Sequence, residues 1–144
     1  MKTTSYEISK KLKEAGFEAE TNFYWYCYDN GREMRHIADA DGKGDVEAYD
    51  LETLLDALPD FITREYKSKN DSSVNKFKER LIIEKNEIRY SCDDIENADD
   101  ANRYFNEYGY MQEFSVHNFK FNNESLADIA GKMWLLLKEK GIIC

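Results

Sequence analysis

An acidic segment from Asp39 to Asp50 comes closest to a known chemistry, the binding of a hard divalent cation. Its carboxylates recur at the spacing of a calcium-binding loop, and the residues that would bind the metal are Asp39, Asp41, Asp45, Glu47 and Asp50. Gly44 occupies the position at which such loops turn sharply. Lys43, however, lies where an oxygen ligand belongs, and a predicted strand rather than a helix enters the loop. We therefore expect weak or no calcium binding here.

Catalysis by a histidine would have to use His36 or His117, the two histidines of the chain. In the hairpin predicted below, His36 lies diagonally across from Cys27, and an imidazole beside a thiol favours the reactive thiolate. The sequence provides no third group to orient that imidazole. It also contains no G-x-S-x-G, H-E-x-x-H, P-loop or G-x-G-x-x-G motif. We therefore favour a packed thiol over a catalytic one and expect no cofactor.

Three tyrosines alternate along one predicted strand, which places Tyr24, Tyr26 and Tyr28 on the same side of a hairpin. Arg35 is among the charged residues that face them on the second strand. Tyrosine provides a large contact area at a small entropic cost and is enriched in interface hot spots. These four residues are therefore candidate interaction residues. The alternative is a structural role, because cross-strand aromatic contacts also stabilise sheets.

The hairpin that positions these residues is predicted from Asn30-Gly31, a dipeptide typical of a two-residue type I′ turn. Counting outward from that turn, Trp25 faces His36 and Cys27 faces Met34. The side of the hairpin that carries Trp25 should face the core. The tyrosine side should then be half-exposed.

The remaining elements follow from hydrophobic periodicity and from helix-capping residues. Helices are predicted over residues 5–15, over a Leu-rich stretch capped by Asp50, within the acidic segment 93–109 and over residues 124–140. Strands are predicted over residues 61–66 and 112–121. A second hairpin about Lys85-Asn86 aligns four apolar residues on one face, namely Leu81, Ile83, Ile88 and Tyr90.

These elements predict one domain, residues 1–144, of the α+β class: a mostly antiparallel sheet of hairpins with the N- and C-terminal helices packed on one face. The C-terminal helix should cover the face that carries Trp25 and Ile83, and Trp134 should be buried there. A chain of 144 residues is long enough to bury a core without disulfides or metals.

Charge and composition narrow the classes of partner. The formal net charge of −9 argues against nucleic acid, because that affinity depends on clustered Lys and Arg, and favours a protein partner with a basic surface. No apolar run reaches the ~20 residues of a membrane span, and no secretory signal follows the N-terminus. Three scattered cysteines indicate a reducing compartment. We therefore expect a cytoplasmic protein without membrane contact.

Two helix patterns, in residues 50–59 and 123–141, resemble those of small uncharacterised proteins of phages, prophages and mobile elements of gut bacteria. In such proteins a short Leu-rich helix ending in Leu-Pro precedes a hairpin, and a closing Ser-Leu-Ala-Asp helix carries Trp and Leu. The resemblance covers roughly the second half of the chain. It implies a mobile-element origin and carries over no activity, ligand or site.

The leading hypothesis from the sequence is a non-enzymatic interaction or accessory protein, because catalytic motifs are absent while acidic segments and tyrosines are available for contacts. One alternative is an enzyme of unfamiliar type that uses His36, Cys27 or the acidic-loop carboxylates. The other is weak divalent-cation binding by the loop from Asp39 to Asp50. A pocket in which His36 or His117 lies beside a carboxylate would favour the enzyme.

Overall fold

The computed structural model describes residues 3–28, 31–36, 46–92, 97–109, 114–117 and 125–143. These residues form four helices: α1 (Tyr6–Glu14), α2 (Leu51–Ala57), α3 (Ala98–Tyr108) and α4 (Leu126–Glu139). They also form seven strands: β1 (Phe23–Tyr28), β2 (Gly31–His36), β3 (Val46–Ala48), β4 (Phe61–Lys67), β5 (Val74–Glu84), β6 (Glu87–Cys92) and β7 (Phe114–His117). The predicted α+β class is confirmed.

The described strands make two antiparallel sheets rather than the one that the sequence led us to expect. In the first sheet β1 lies between β2 and β3, and the second follows the chain in the order β4, β5, β6, β7. Trp25 belongs to the first sheet and Ile83 to the second. A single face that carries both residues is therefore not formed.

The N-termini of the first and last helices lie beside each other and are joined by the buried carboxylate of Asp128. A serine caps each of the two helices. Ser5 caps α1, and Ser125 caps α4 by accepting a hydrogen bond from the backbone N–H of Asp128 at 3.2 Å. The Oδ1 atom of Asp128 in turn accepts a hydrogen bond from the backbone N–H of Ser5 at 2.6 Å. Two orphan N–H groups are thus satisfied where the helices meet.

Gly131 allows α1 and α4 to approach closely. A Cβ atom at this position would lie 2.7 Å from Cγ2 of Ile8, whose β-branched side chain cannot move away freely. Gly131 therefore serves the close packing of the two helices, and we expect that even one added methyl group at this position destabilises the fold.

We predict that Gly131→Ala destabilises the protein by about 1–2 kcal/mol, because overpacking outweighs the ~1 kcal/mol gain in helix propensity. In an Ile8→Ala background the clash is removed, so the same change should stabilise the fold by up to about 1 kcal/mol. Urea unfolding of the four proteins measures this double-mutant cycle. An equal loss in both backgrounds would show that the contact with Ile8 is not the cause.

The second hairpin has the predicted register, with Leu81 opposite Tyr90 and Ile83 opposite Ile88. Ile88 and Tyr90 are fully buried in the core cluster that also contains residues of α4. The hydroxyl of Tyr90 donates to the backbone carbonyl of Pro59 at 2.6 Å, which satisfies its one polar atom, and burial raises its pKa. The C-terminal helix thus covers the second sheet.

The first hairpin differs from its prediction by two residues, since Trp25 pairs with Met34 and Cys27 with Arg32. A shift of two keeps every residue on its predicted side of the strand. The prediction that the tyrosine side is half-exposed is nevertheless wrong for Tyr24, whose side chain is only 2% exposed. The unpredicted strand β3 makes β1 the central strand of its sheet. Trp25 is half-buried and its Nε1 donates to the carbonyl of Thr4 at 3.1 Å.

The predicted acidic helix is present as α3, and none of its residues is buried. Its Tyr104 and Tyr108 contact the ring of Phe77 on β5 edge-on, with ring centroids 5.4 and 5.1 Å away. The last strand, predicted over residues 112–121, is described only over β7.

Candidate functional site

A cavity of about 870 Å³ lies between α1, α4 and β7, and we call it the edge groove. Its apolar lining comes from Ile8, Ala15, Val116, Leu135 and Leu136. Its polar and charged lining comes from Lys11, Glu14, Ser115, His117, Lys132, Lys138 and Glu139. This volume falls in the range of sites that hold drug-sized ligands, about 300–1,000 Å³.

The edge groove runs along the open edge of a sheet. Ser115, Val116 and His117 are consecutive residues of β7, and all three line the cavity. Side chains of consecutive strand residues point to opposite faces, so a cavity that touches all three must lie against the edge of the strand. Among the described strands, β7 pairs with β6 alone. The groove is therefore positioned next to a strand edge that could accept another strand.

The electrostatic character of the groove differs from that of the whole chain. Three lysines, Lys11, Lys132 and Lys138, line it together with two glutamates, Glu14 and Glu139. The groove thus has one formal positive charge in excess on a chain whose net charge is −9. Such a local surplus beside apolar walls attracts an anionic group more strongly than the net charge suggests.

A hydroxyl, an imidazole and a carboxylate meet at the mouth of this groove. Ser115 Oγ lies 2.6 Å from Nε2 of His117 and 2.8 Å from Oε1 of Glu87, and Nδ1 of His117 lies 3.6 Å from the same Oε1. The antiparallel pairing of β6 with β7 places His117 directly opposite Glu87. Since Ser115 lies two residues from His117, both side chains share that face.

A neighbouring ion pair holds the carboxylate side of this cluster. Arg89, opposite Ser115 in the ladder, places its Nε 3.9 Å from Glu87 Oε1 and its Nη2 3.0 Å from Glu84 Oε1. The Glu87 side chain is 22% exposed and that of His117 is 49% exposed, so the cluster is accessible from solvent. At these distances the Ser115 hydroxyl donates to the Glu87 carboxylate and also lies beside Nε2 of His117, so the carboxylate and the imidazole share one hydroxyl group.

His117 was a candidate from the sequence, whereas Ser115, Glu87 and the three lysines of the groove were not predicted. Ser115 and His117 have the two-residue spacing of strand neighbours, which is a usable signal. The pairing of β6 with β7 crosses an intervening helix, so nothing local pointed to Glu87.

The predicted interaction residues do not form one exposed surface. Tyr24 is buried, so the prediction that it lies on a half-exposed face is wrong, and its hydroxyl has no hydrogen-bond partner in the described structure. Tyr26 is half-buried. The backbones of Tyr28 and Arg35 lie in β1 and β2, with Arg35 opposite Tyr24, while their side chains are outside the described part.

The predicted cation site is described only at its end. Asp39, Asp41 and Asp45 lie outside the described residues. Glu47 is in β3 and its Oε2 accepts a hydrogen bond from the Tyr49 hydroxyl at 2.9 Å, while burial and this bond raise the pKa of that tyrosine. Asp50 caps α2 as predicted, its Oδ1 accepting from the N–H of residue 53 at 2.9 Å. Residues 3–28, 31–36, 46–92, 97–109, 114–117 and 125–143 contain no group of three metal-ligating side chains.

The predicted diagonal contact between Cys27 and His36 is wrong. In the observed register Cys27 is opposite Arg32 and His36 is opposite Phe23. The two positions are therefore four residues apart along the ladder, about 13 Å at the rise of a strand. The form of the enzyme hypothesis that relied on this pair is thereby excluded.

No family model matches this chain, and neither the curated proteins nor the solved structures contain a significantly similar one. The described helices include none that is long and apolar enough to cross a membrane. The fold and the site together define an α+β protein with an apolar, lysine-rimmed groove at a sheet edge.

Proposed function

We propose that this chain is an interaction protein and that the edge groove is where its partner binds. The observation that supports this proposal most directly is that the groove combines an apolar wall with the edge of β7. Among the described strands, β7 is paired on one side only. Addition of an extended peptide to an exposed strand edge, with pockets that take alternate side chains, is a recurring mode of peptide recognition.

The proposed occupant is an extended segment of a partner protein that adds to the sheet beside β7. Its main chain would hydrogen-bond with the strand edge, and every second side chain would face the sheet's inner side. On that side lie Leu135 and Leu136, which fit apolar side chains. Acidic side chains of the segment would reach Lys132 or Lys138 at the rim.

These contacts refine the expectations drawn from the sequence. The groove favours an acidic and apolar segment, whereas the net charge alone had suggested a basic partner. We further propose that the protein acts in the cytoplasm, without a membrane or nucleic-acid partner. If its origin is phage-like, a host protein would be a natural target.

Selection from a displayed library of random decapeptides tests this function. We expect the selected sequences to alternate apolar with acidic residues and to bind with at least tenfold lower affinity, about 1.4 kcal/mol, to the double variant Lys132→Glu and Lys138→Glu. Lys76→Glu, on β5 two strands away from β7, changes the charge of a residue that does not line the groove and should leave binding unchanged. Binders that are insensitive to the groove variant would overturn the assignment.

A further inference from the structure

We propose that His117 makes the capture of the partner segment pH-dependent: when its imidazole takes up a second proton, the edge groove binds an acidic segment more tightly. This inference rests on the proposed function, because it concerns the same groove and the same extended segment. Two observations support it. His117 lies on β7, which pairs with β6 alone among the described strands, and its ring has two fixed polar neighbours.

His117 lies where an added strand would contact it. Its side chain is 49% exposed and lines the edge groove. Val116 packs on the core that contains α4, so Ser115 and His117 on either side of it point to the opposite face of β7. Side chains that share a face of two paired strands lie about 5 Å apart. The outward-facing side chains of a segment beside β7 would therefore meet His117.

The hydrogen bonds of Ser115 determine which nitrogen of the imidazole already carries a hydrogen. The Ser115 hydroxyl has one proton and donates it to Glu87 Oε1 at 2.8 Å. Its oxygen therefore accepts from Nε2 of His117, which lies 2.6 Å away. The other nitrogen, Nδ1, faces Glu87 Oε1 at 3.6 Å. A second proton on the ring would thus be held on Nδ1, next to a carboxylate.

The charges around His117 determine what this proton does to the groove. Arg89 pairs with Glu84 and Glu87 on the neighbouring strand, and these three groups have a formal charge of −1. A protonated His117 brings this outer edge to neutrality and places the new positive charge nearest to the segment. The other charged residues that line the groove with His117 are Lys11 and Glu14 of α1 and Lys132, Lys138 and Glu139 of α4.

An acidic segment benefits from the proton because a carboxylate opposite His117 then faces a cation. Exposed ion pairs of this kind strengthen an association by about two- to fivefold. The protonated form binds more tightly, so the affinity should rise as the pH falls and decline again as the pH rises. By linkage, a bound acidic segment must promote uptake of the proton to the same extent.

The dissociation constant of a groove-selected peptide, measured at pH 7.5 and at pH 5.5, tests the proposal. Histidine is the side chain whose charge ordinarily changes in this interval. The probe is an N-acetylated decapeptide with acidic residues at alternate positions, so that its terminal amine does not titrate. We expect it to bind about two- to fivefold more tightly at pH 5.5. Equal affinity of the parent protein at both pH values would overturn the proposal.

His117→Gln should remove the pH dependence, since glutamine keeps a hydrogen-bonding side chain but takes up no proton. The matched control is His36→Gln, because His36 is the other histidine of the chain and lies in β2 of the first sheet. This variant should bind as the parent protein does at both pH values. A pH dependence that survives in His117→Gln would contradict the role of this residue.

Titration calorimetry in buffers of different ionisation enthalpy measures the proton itself. At pH 6.5 the parent protein should take up a fraction of one proton for each peptide bound, and His117→Gln should take up none. Equal uptake by the two proteins would assign the proton to another group and reject the inference.

Binding and its pH dependence fail separately. Peptides that lose affinity for the double variant Lys132→Glu and Lys138→Glu, but bind the parent protein equally at both pH values, would reject the role of His117 and keep the interaction function. Absence of any groove-dependent peptide would reject both. Melting curves of His117→Gln and the parent protein should overlay at pH 7.5, since the His117 side chain is half-exposed.

Discussion

Replacing Glu79 with alanine is expected to lower the free energy of unfolding by about 3–5 kcal/mol, since it breaks a buried ion pair. The Glu79 side chain is only 3% exposed and that of Arg64 16%. Both oxygens of the carboxylate accept hydrogen bonds from Nε and Nη2 of Arg64. The variant would remove the carboxylate that pairs with a largely buried guanidinium. Urea unfolding followed by circular dichroism measures the loss.

A variant that removes both charges separates this effect from simple loss of packing. The double change Arg64→Leu and Glu79→Leu replaces the ion pair by apolar groups, and such replacements are often neutral or stabilising. We therefore expect it to be more stable than Glu79→Ala by at least about 2 kcal/mol. A double variant as unstable as the single one would show that shape rather than charge determines stability at this position.

The sequence predicted elements well where the signals are local. The hairpin of β5 and β6 has the predicted register because a two-residue turn and four apolar residues agree on it, Leu81 and Ile88 among them. The helix α4 was equally clear, since its apolar stripe and its end signals coincide. In the folded protein these elements have the positions and register that their local signals predict, because tertiary packing agrees with those signals.

The predictions from the sequence were wrong where the burial of a side chain depends on a strand that is distant in the chain. Tyr24 looked half-exposed because its hairpin was considered alone, but β3 pairs along the other side of β1, with Glu47 opposite Tyr24. The burial of the ion pair between Arg64 and Glu79 was not predicted for the same reason. Both residues alternate with exposed charges along their strands, and only the pairing of β4 with β5 brings them together.

The candidate site was predictable in part. His117 drew attention through its chemistry, and its two-residue spacing from Ser115 suggests a shared strand face. Glu87 and Lys11 come from distant parts of the chain, and their positions depend on the order of strands and on the crossing of α1 with α4. A groove between separate elements has no periodicity of its own in the sequence.

Replacing Trp134 with alanine should cost about 3–5 kcal/mol, the typical loss for a large aromatic side chain in a core. Trp134 is buried as predicted, with 8% of its surface exposed, and its ring contacts that of Phe17 edge-on with centroids 4.9 Å apart. Alanine would leave a cavity between α4 and the segment after α1, and the rigid neighbours there would close it only in part. Urea unfolding followed by circular dichroism provides the value.

Phe105→Ala is the matched control, because this ring on α3 is 53% exposed and should cost less than about 1 kcal/mol to remove. The chain has two tryptophans, so Trp134→Ala leaves Trp25 as a fluorescent reporter in the first sheet. If the first sheet and the core around α4 unfold together, the fluorescence transition of the variant should coincide with its circular dichroism transition. A loss below 1 kcal/mol for Trp134→Ala would contradict the central place assigned to α4. Separate transitions would show instead that the sheet holding Trp25 is stable without that core.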